Sequence, residues 1–527
     1  MATALIFDIS GKQRHIFSTT MLRSIVGASA RMDMLNSAFR SRFSEELVYS
    51  GGGNGVAVFA DDRRLQEAEA FLSEQAALLG VALPRATLQT AGPDLDWDEL
   101  DRLQARLAEV KRRAQPAPQP FSFPLADQCQ VCGRGAALPG TVEDKHVCFR
   151  CREKLVWGFG DTDHGTHAGQ AHQWIAQAAY QRDAAGLFML NLEQTASVCR
   201  KWRRAKAGAP ADARDRDEER SLMAVVCMDG NGMGRRIEAL REKGKREGRS
   251  PHELLGAFSD GVEAVLKESL KRAMHEVFGE TLPQGVRIPL RPLIAAGDDI
   301  CLITAPETAL DLTRSIAAHF AEAARVTDAG LRGVTLSAGI AVVHSSFPVS
   351  EAVGLAEELL SSAKRGGQEA RAAGGDPPAM VDFSVVLDAK MDALPVRRRR
   401  ECVFAAPDGK TFTLTRKPYR LTEEGPDGQP SLACVQEKAK ELRATKVARS
   451  KIKALREILR EGPDERADRL APYRREGAKW KKLKTLMDWH LEETDTGRKE
   501  AFLDIVEVYD FLMENPEDAQ APAARED

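Results

Sequence analysis

Apolar and polar residues alternate along the first part of the chain in a strand and helix pattern. ALIFDI and LVYSGGGNGVAVFAD predict three strands, the last two joined by a glycine turn. Helical periodicity covers residues 18–47, 65–80 and 94–114. A Pro-rich stretch, PAPQPFSFP, then marks a boundary at residues 116–124. This first unit therefore predicts a small α/β domain.

A second unit repeats the pattern from SLMAVVCMD (221–229) onwards. Strands are predicted within 286–305 and over 333–344, and helices within 232–278 and over 306–325 and 348–365. The order β–α–β–β–α–β is typical of a ferredoxin-like fold, an antiparallel sheet with helices on one face. The predicted fold class is α+β, with two such units.

The length of 527 residues exceeds what one hydrophobic core organises, so we expect several domains. Beyond the second unit, residues 397–421 predict a β-hairpin and residues 435–515 predict charged helices. The predicted segments are a first domain (1–115), a zinc-binding element (116–160), a helical linker (161–220), the second domain (221–395), a β-hairpin extension (396–434), a basic helical domain (435–515) and a disordered tail (516–527).

Composition narrows the class of protein. Hydrophobic residues make up 43% and charged residues 29% of the chain, as in globular proteins. No apolar run approaches the roughly 18 to 20 residues of a membrane-spanning helix, so we expect no membrane partner. Nine cysteines in a chain of this length do not form a disulfide scaffold, and their uneven distribution favours a reducing, cytoplasmic location.

Four of the nine cysteines form two CxxC pairs with zinc-ribbon spacing. Cys129 and Cys132 are separated from Cys148 and Cys151 by 15 residues. Each pair presents two thiolates from one turn, and two pairs complete a tetrahedron. We predict a structural Zn²⁺ site without a catalytic role, while the other cysteines pack as small apolar residues.

Clustered acids in the second unit carry the candidate chemistry. Asp229 ends the first strand, in MDGNGMG, and Asp298 and Asp299 occupy the turn between the two middle strands, in AAGDD. Strands one and three of a ferredoxin-like sheet are neighbours, so these carboxylates are expected within metal-bridging distance. Hard oxygen ligands suit Mg²⁺ or Mn²⁺, which support nucleotidyl transfer when two ions are bound. The alternative is that these DG and GDD sequences form plain turns.

Glycines beside Asp229 favour a nucleotide site. Gly230, Gly232 and Gly234 let the backbone approach triphosphate oxygens, helped by the N-terminus of the next helix.

The second unit resembles the nucleotidyl-cyclase palm of the large subunit of type III CRISPR effector complexes, which is related to the GGDEF cyclases. The matching blocks are AVVCMDGNGMG, IAAGDDICLI, VTLSAGIAVVHSSFPVSEAVGLAEELLSSAKR and MVDFSVV. FDISGKQRHIF, LRSIVGAS and LVYSGGGNGVAVF resemble that subunit's first, non-catalytic palm, and the CxxC pairs its zinc element. The segment FTLTRKPYRLTEE and the basic helices that follow resemble its C-terminal part.

The resemblance implies a cyclic-oligonucleotide synthase that converts ATP into cyclic oligoadenylate. It makes Asp229, Asp298 and Asp299 the catalytic carboxylates, with Asp229 and Asp298 as metal ligands, and it places a phosphate-contacting lysine at Lys364. The residues expected to contact nucleotide are Gly230, Asn231, Gly232, Met233, Gly297, Ser337 and Lys364. Guide-RNA ribonucleoprotein subunits and RNA are the implied partners.

Two residues depart from the family pattern. Ala296 replaces the first glycine of GGDD, which costs little if its φ is negative. Asn231 replaces a frequent Asp and removes one charge.

In the first unit only Asp8 matches an acid, Asp229, because aligning GGNG with AGDD puts Asn54 and Gly55 in the acidic positions. One carboxylate cannot hold two divalent ions, so we expect a silent palm that closes over nucleotide bound at the second. An unrelated small α/β domain is the alternative.

Three histidines, His164, His167 and His172, lie in DTDHGTHAGQAH. We expect a solvated loop here, with a metal site as the alternative. The family's nuclease domain of His–Asp type precedes the first palm, and since the first strand starts at residue 4 we expect none here.

A cationic stretch is hidden by the overall net charge of −3. Residues 438–484 contain 17 Lys and Arg against 7 Asp and Glu, and Arg397 to Arg400 add a second run. Such stretches bind phosphate backbones. The alternative is a solvated helical bundle with internal ion pairs.

Two other functions remain open from the sequence. One is a non-catalytic, nucleotide-binding scaffold subunit of a ribonucleoprotein complex. The other is a stand-alone defence cyclase that works without guide RNA.

Overall fold

The computed structural model describes most of the chain. The described residues are 2–113, 127–142, 144–158, 172–206, 222–327, 330–371, 375–386, 392–405, 410–422, 425, 430–459, 461, 463–475, 477–494 and 497–512. Among them no helix combines the length and the apolar character needed to cross a membrane.

The first unit is a four-stranded antiparallel sheet with strand order β2-β3-β1-β4, as in a ferredoxin-like fold. Its elements are β1 (Thr3–Asp8), α1 (Lys12–Ile16), α2 (Leu22–Arg42), β2 (Leu47–Gly51), β3 (Asn54–Phe59), α3 (Asp62–Leu79), β4 (Arg85–Gln89) and α4 (Trp97–Arg113). Alternate residues of β1 face opposite sides. Leu5 and Phe7 pack with α2 and α3, while Ala4 and Ile6 pack with α4.

A cysteine element and a linker follow. The described helices of this region are α5 (Phe149–Trp157), α6 (Gln173–Tyr180), α7 (Ala184–Leu187) and α8 (Thr195–Lys206). α5 packs on α2 of the first unit because Gly27 has no Cβ, whose position would lie 1.8 Å from the Lys154 carbonyl oxygen.

The second unit has a six-stranded sheet of order β12-β9-β8-β5-β7-β6, whose last four strands repeat the order of the first unit. Its elements are β5 (Leu222–Gly230), α9 (Met233–Glu247), α10 (Pro251–Phe278), β6 (Leu290–Ala296), β7 (Asp299–Thr304), α11 (Pro306–Val326), β8 (Leu336–His344), α12 (Val349–Glu369), β9 (Met380–Val385) and, further along the chain, the edge strand β12 (Tyr419–Arg420). The two predicted ferredoxin-like units are thus present.

Both faces of the second sheet are covered, which explains its nearly continuous apolar strands. Ala224, Val226 and Met228 pack in one core with α10 and α11. Met223, Val225 and Cys227 pack in another core that holds α12 and also α2 of the first unit. The second sheet therefore faces the first unit with the side that carries α12.

The C-terminal part differs from the prediction in two places. Residues 394–402 form helix α13 (Leu394–Cys402) rather than the start of a hairpin, and a hairpin interrupts the predicted helices at residues 492–499. The remaining elements are β10 (Val403–Ala405), β11 (Thr411–Thr413), α14 (Leu432–Ala444), α15 (Arg449–Ile458), α16 (Pro463–Arg469), α17 (Ala471–Arg474), α18 (Ala478–Met487), β13 (Glu492–Thr494), β14 (Gly497–Lys499) and α19 (Phe502–Tyr509). β11 pairs with β14, so the two predicted segments share one sheet, a long-range pairing that local periodicity does not show.

Buried charges attach this C-terminal part to the second sheet. The Lys417 ammonium lies 2.5 Å from the Glu507 carboxylate and 3.4 Å from that of Asp504, and all three side chains are almost fully buried. The Tyr419 hydroxyl, on edge strand β12, donates to Asp504 at 2.5 Å. The network therefore connects α19 to the edge of the sheet.

Candidate functional site

The three predicted carboxylates converge at one end of the second sheet. Asp229 lies at the end of β5, Asp298 in the turn after β6, and Asp299 at the start of β7. The antiparallel register pairs Met228 with Ile300 and so brings the next residues, Asp229 and Asp299, side by side. A Cβ at Gly230 would lie 2.6 Å from an Asp298 carboxylate oxygen, so glycine is needed for this packing.

Electrostatic repulsion within the cluster is strong. Burial and then the charge of Asp229 raise the pKa of Asp298 from 3.8 to about 6. Burial, followed by the charges of Asp229 and Asp298, raises the pKa of Asp299 to about 7, against an opposing effect of the Lys12 ammonium. The nearby cations therefore do not balance the charge of the three carboxylates. A set of carboxylate oxygens with unbalanced negative charge fits Mg²⁺ or Mn²⁺.

Lys364 lies beside the cluster, on α12. Its ammonium forms an ion pair with Asp229 and also donates to the Gly230 carbonyl at 3.1 Å. One ammonium neutralises one of the three acids. Lys364 therefore positions Asp229 and adds a cation where phosphate is expected.

Backbone geometry explains why alanine fits at residue 296, where the family pattern has glycine. The turn places Gly297 at a φ of +65°, the left-handed region that favours glycine, while Ala296 is not among the residues with positive φ. Ala296 pairs with Asp299 as an ordinary strand residue. The glycine that the turn requires is present.

The start of α9 offers unpaired backbone donors near Asp229. Gly232 caps the helix in the left-handed conformation, with a φ of 75° and no side-chain cap. The first N–H groups of a helix have no partner within it and attract anions. This end of α9 is suited to phosphate oxygens.

Three of the residues predicted to contact nucleotide make contacts within the protein instead: Asn231, Ser337 and Met233. The Asn231 side-chain amide is buried and donates to the Thr335 hydroxyl at 2.8 Å and the Ser337 hydroxyl at 2.9 Å. Ser337 is fully buried and also accepts from the Met380 backbone amide. Met233 packs partly buried against the core. These residues hold the loop in place.

A cavity of about 690 Å³ separates the two units at the carboxylate cluster. Asp229 and Asp299 line one wall, and Lys12 and Asp33 of the first unit line the opposite wall. Across it, the Gln13 side-chain amide donates to the Glu357 carboxylate at 2.6 Å. The cavity is large enough to hold a small organic ligand.

The first unit lacks the acids, with an alignment one residue different from the predicted one. The register pairs Gly51 with Asn54 and, in the second unit, Ala296 with Asp299. Both turns contain two residues, so Gly53 and Asn54, rather than Asn54 and Gly55, take the positions of Asp298 and Asp299. Asp8 pairs with Asn54 and remains the sole matching acid in this turn and strand end.

Lysines near Asp8 were missed by sequence reasoning. Lys111 on α4 lies 2.5 Å from the Asp8 carboxylate, as Lys364 on α12 lies beside Asp229. Lys12 lies 3.7 Å from the same carboxylate. The position of Lys12 could have been predicted from the sequence, because Lys12 follows Gly11 as Met233 follows Gly232.

The four cysteines come together as predicted. The sulfur atoms of Cys129, Cys132, Cys148 and Cys151 lie within 4.8 Å of one another. The Cys132 and Cys148 sulfurs are 3.8 Å apart, close to the spacing in a tetrahedron with Zn–S bonds of about 2.3 Å. This set fits Zn²⁺.

The histidine prediction is wrong for His172, while His164 and His167 lie outside the described residues. His172 is buried rather than solvated, since it precedes α6 against the core. Burial first, and then the charge of Arg291, lowers the pKa of His172 to about 3. His172 is therefore a neutral core residue.

The two cationic runs behave differently. Arg397 is buried beside Glu401, Arg398 pairs with the buried Asp382, and Arg400 pairs with Asp392. Three of the four arginines in that run therefore form internal ion pairs, while Arg399 is exposed. In the longer stretch, exposed side chains group on α17 and α18 at Arg474, Arg475, Lys479, Lys481 and Lys482.

Comparison with known families bears on the second unit. Residues 222–373 match the family model of the second palm domain of Cas10/Cmr2. This match confirms the resemblance of the second unit to the palm of a type III CRISPR large subunit, and this segment is a palm domain of that kind. No curated protein matches the chain.

Solved structures of Csm1–Csm4 also align with the chain. The Csm1–Csm4 cassette in complex with cA4 is 16% identical with a TM-score of 0.40, over 69% of this chain and 53% of that chain. The cassette in complex with one ATP is 16% identical with a TM-score of 0.41, over the same shares. The subcomplex in the type III-A CRISPR-Csm interference complex is 15% identical with a TM-score of 0.41, again over those shares. The present chain spans about half the length of these chains.

Proposed function

We propose that this protein is a nucleotidyltransferase that makes cyclic oligonucleotides, with ATP as substrate and cyclic oligoadenylate as product. One observation carries the proposal: in a segment that matches the Cas10/Cmr2 second palm, the cluster of Asp229, Asp298 and Asp299 lies at a cavity of about 690 Å³, whose wall includes Asp229 and Asp299. The choice of ATP rests on the family resemblance.

Asp229, Asp298 and Asp299 are the residues that would hold Mg²⁺ or Mn²⁺. Bound divalent ions supply Lewis acidity toward a ribose 3′-hydroxyl and neutralise charge on the α-phosphate and the departing pyrophosphate. Lys364 keeps Asp229 in place through its ion pair. The α9 backbone amides after Gly232 orient the triphosphate.

In this proposal Asp299, which begins β7 beside Asp229, completes the cluster and helps to activate the 3′-hydroxyl. The first unit closes the cavity from the opposite side.

Exposed cations on α17 and α18 support a further part of the proposal, contact with RNA or a ribonucleoprotein. Side chains of one sign that group on a surface bind phosphate backbones with salt-dependent affinity. The protein would then act as the large subunit of a type III CRISPR effector complex in the cytoplasm.

Product analysis tests the activity. Purified protein, with and without partner RNA complex, is incubated with each nucleoside triphosphate and Mg²⁺ or Mn²⁺, and the products are identified by mass spectrometry. We expect cyclic oligoadenylate that disappears in the Asp298→Asn and Asp299→Asn double variant. The Asp94→Asn variant, an exposed aspartate remote from the cavity wall, is the matched control.

The absence of cyclic product under all these conditions would favour the scaffold function. Product made equally by the double variant would refute the role of the carboxylates. Product made without any RNA partner would favour a stand-alone cyclase.

A further inference from the structure

The two units start their first helix in the same way. Gly11 caps α1 with φ 73° and ψ 34°, and Gly232 caps α9 with φ 75° and ψ 16°. Each glycine stands three residues after the aspartate that ends the first strand. Lys12 in the first unit therefore occupies the position of Met233 in the second.

Lys12 fills the place that an acid has in the second unit. Its ammonium donates to the Gly52 carbonyl. A Cβ at Gly53 would lie 2.8 Å from the Lys12 Cε and 3.2 Å from its Nζ. Gly53 takes the position of Asp298. The turn therefore has no side chain at this position, and the Lys12 side chain lies over it.

The acid beside Lys12 does not fully neutralise the Lys12 ammonium. The nearby acid is Asp8, and Lys111 lies closer to that carboxylate, at 2.5 Å against 3.7 Å for Lys12. Two ammonium groups thus share the Asp8 carboxylate, which cannot neutralise both of them. About one third of the Lys12 side chain is exposed, at 33%.

Cations of the second unit are held more tightly by acids. Lys364 is paired with Asp229, and Arg236 is paired with Asp376, which also lies 3.9 Å from Arg235. A polyanion approaching the cluster would have to compete with these acids. Asp8 neutralises Lys12 less completely, because Lys111 also binds Asp8.

Lys12 and the carboxylate cluster line the same cavity, together with Asp229 and Asp299. We propose that Lys12 is a phosphate-binding residue, through which the degenerate unit supplies a cation to the triphosphate of the nucleotide held at the second palm. This inference rests on the proposed function and assigns part of it to the unit that lacks acids.

The proposal makes affinity for the triphosphate depend on Lys12, separately from catalysis. A charge-assisted hydrogen bond from an ammonium to phosphate is worth more than a neutral one. Removal of that bond is expected to weaken binding about tenfold, which equals about 1.4 kcal/mol. The effect should be confined to ligands that carry phosphates.

Binding of a non-hydrolysable ATP analogue and of adenosine is measured by calorimetry on the full chain with Mg²⁺. Lys12→Met introduces the residue that the second unit has at this position, and Lys12→Arg keeps the charge. Lys201→Met is the matched control, since Lys201 is an exposed lysine that is not part of the cavity wall as the described residues form it. Thermal unfolding of each variant checks that it is folded.

We expect Lys12→Met to weaken binding of the analogue about tenfold and to leave adenosine binding unchanged. Lys12→Arg should restore part of the affinity, and Lys201→Met should equal the wild type. Equal analogue affinity for wild type and Lys12→Met, or an equal loss for Lys12→Met and Lys201→Met, would overturn the inference. A loss that includes adenosine would overturn it too. If the wild type binds the analogue through Lys12 but makes no cyclic product, the inference stands and the proposed activity fails.

Discussion

Removal of one acid from the carboxylate cluster is expected to stabilise the metal-free protein at alkaline pH. In the folded protein the pKa of Asp298 is raised from 3.8 to about 6, first by burial and then by Asp229. Folding therefore favours the protonated carboxyl. The associated stabilisation is complete below about pH 4 and is lost as the pH rises through 6.

The size of the effect follows from this difference. A pKa difference of about 2 corresponds to about 3 kcal/mol of free energy between the two protonation states. Asp298 is half-buried, and solvent screening reduces the value to about 1–2 kcal/mol. Asp298→Asn should therefore unfold about 2–8 °C higher than the wild type at pH 8, for a cooperative unit of about 150–250 residues.

Thermal unfolding of the full chain measures this at pH 5 and pH 8, in resin-treated buffer with and without Mg²⁺. A resin-treated buffer is preferable to a chelator, which would also remove zinc. The advantage of Asp298→Asn should be present at pH 8 and shrink at pH 5, where the wild-type carboxyl is protonated. Mg²⁺ should raise the unfolding temperature of the wild type more than that of the variant.

Asp94→Asn serves as the control for loss of one negative charge, since Asp94 is exposed and is not in the cavity wall. Its unfolding temperature should not change with Mg²⁺. A wild type that is as stable as Asp298→Asn at pH 8, or equal stabilisation of both by Mg²⁺, would refute the idea of an uncompensated acidic cluster.

Three further predictions concern the zinc element, the loop after β5 and the C-terminal junction. The protein should contain about one zinc per chain by elemental analysis, and Cys148→Ser should lose it and become sensitive to proteases, since structural zinc is held by four ligands; zinc retained in that variant would contradict the site. Asn231→Asp removes a buried donor to Thr335 and should lower the free energy of unfolding by about 1–3 kcal/mol in urea, with no change counting against that role. Lys417→Met should destabilise the chain by about 3–5 kcal/mol, because Asp504 and Glu507 lose their buried cation, and wild-type stability would show that these acids are compensated otherwise.

Much of the second unit could be predicted from its sequence. The strand periods and their order define a ferredoxin-like sheet, in which strands one and three are neighbours. Asp229 and the Asp298–Asp299 turn meet for that reason, without knowledge of any other contact. The CxxC spacing likewise defines the cysteine cluster, because each pair is held by one local turn.

The roles of residues that depend on contacts distant in the chain could not be predicted in this way. Asn231 is polar and follows a glycine, so its sequence context does not distinguish a nucleotide contact from a buried brace. Arg397, Arg398 and Arg400 are paired with Glu401, Asp382 and Asp392, and periodicity does not reveal these partners.

The sequence by itself determined two palm-like units, one acidic and one degenerate, and a four-cysteine element. The tertiary structure decided how the degenerate unit is used. Lys12 meets the acidic cluster across a cavity, and Gln13 bonds to Glu357, 344 residues away, because α2 of the first unit packs in one core with the α12 face of the second sheet. Local patterns record which face of a strand or helix is apolar, but the partner of that face is fixed by the shapes of both units.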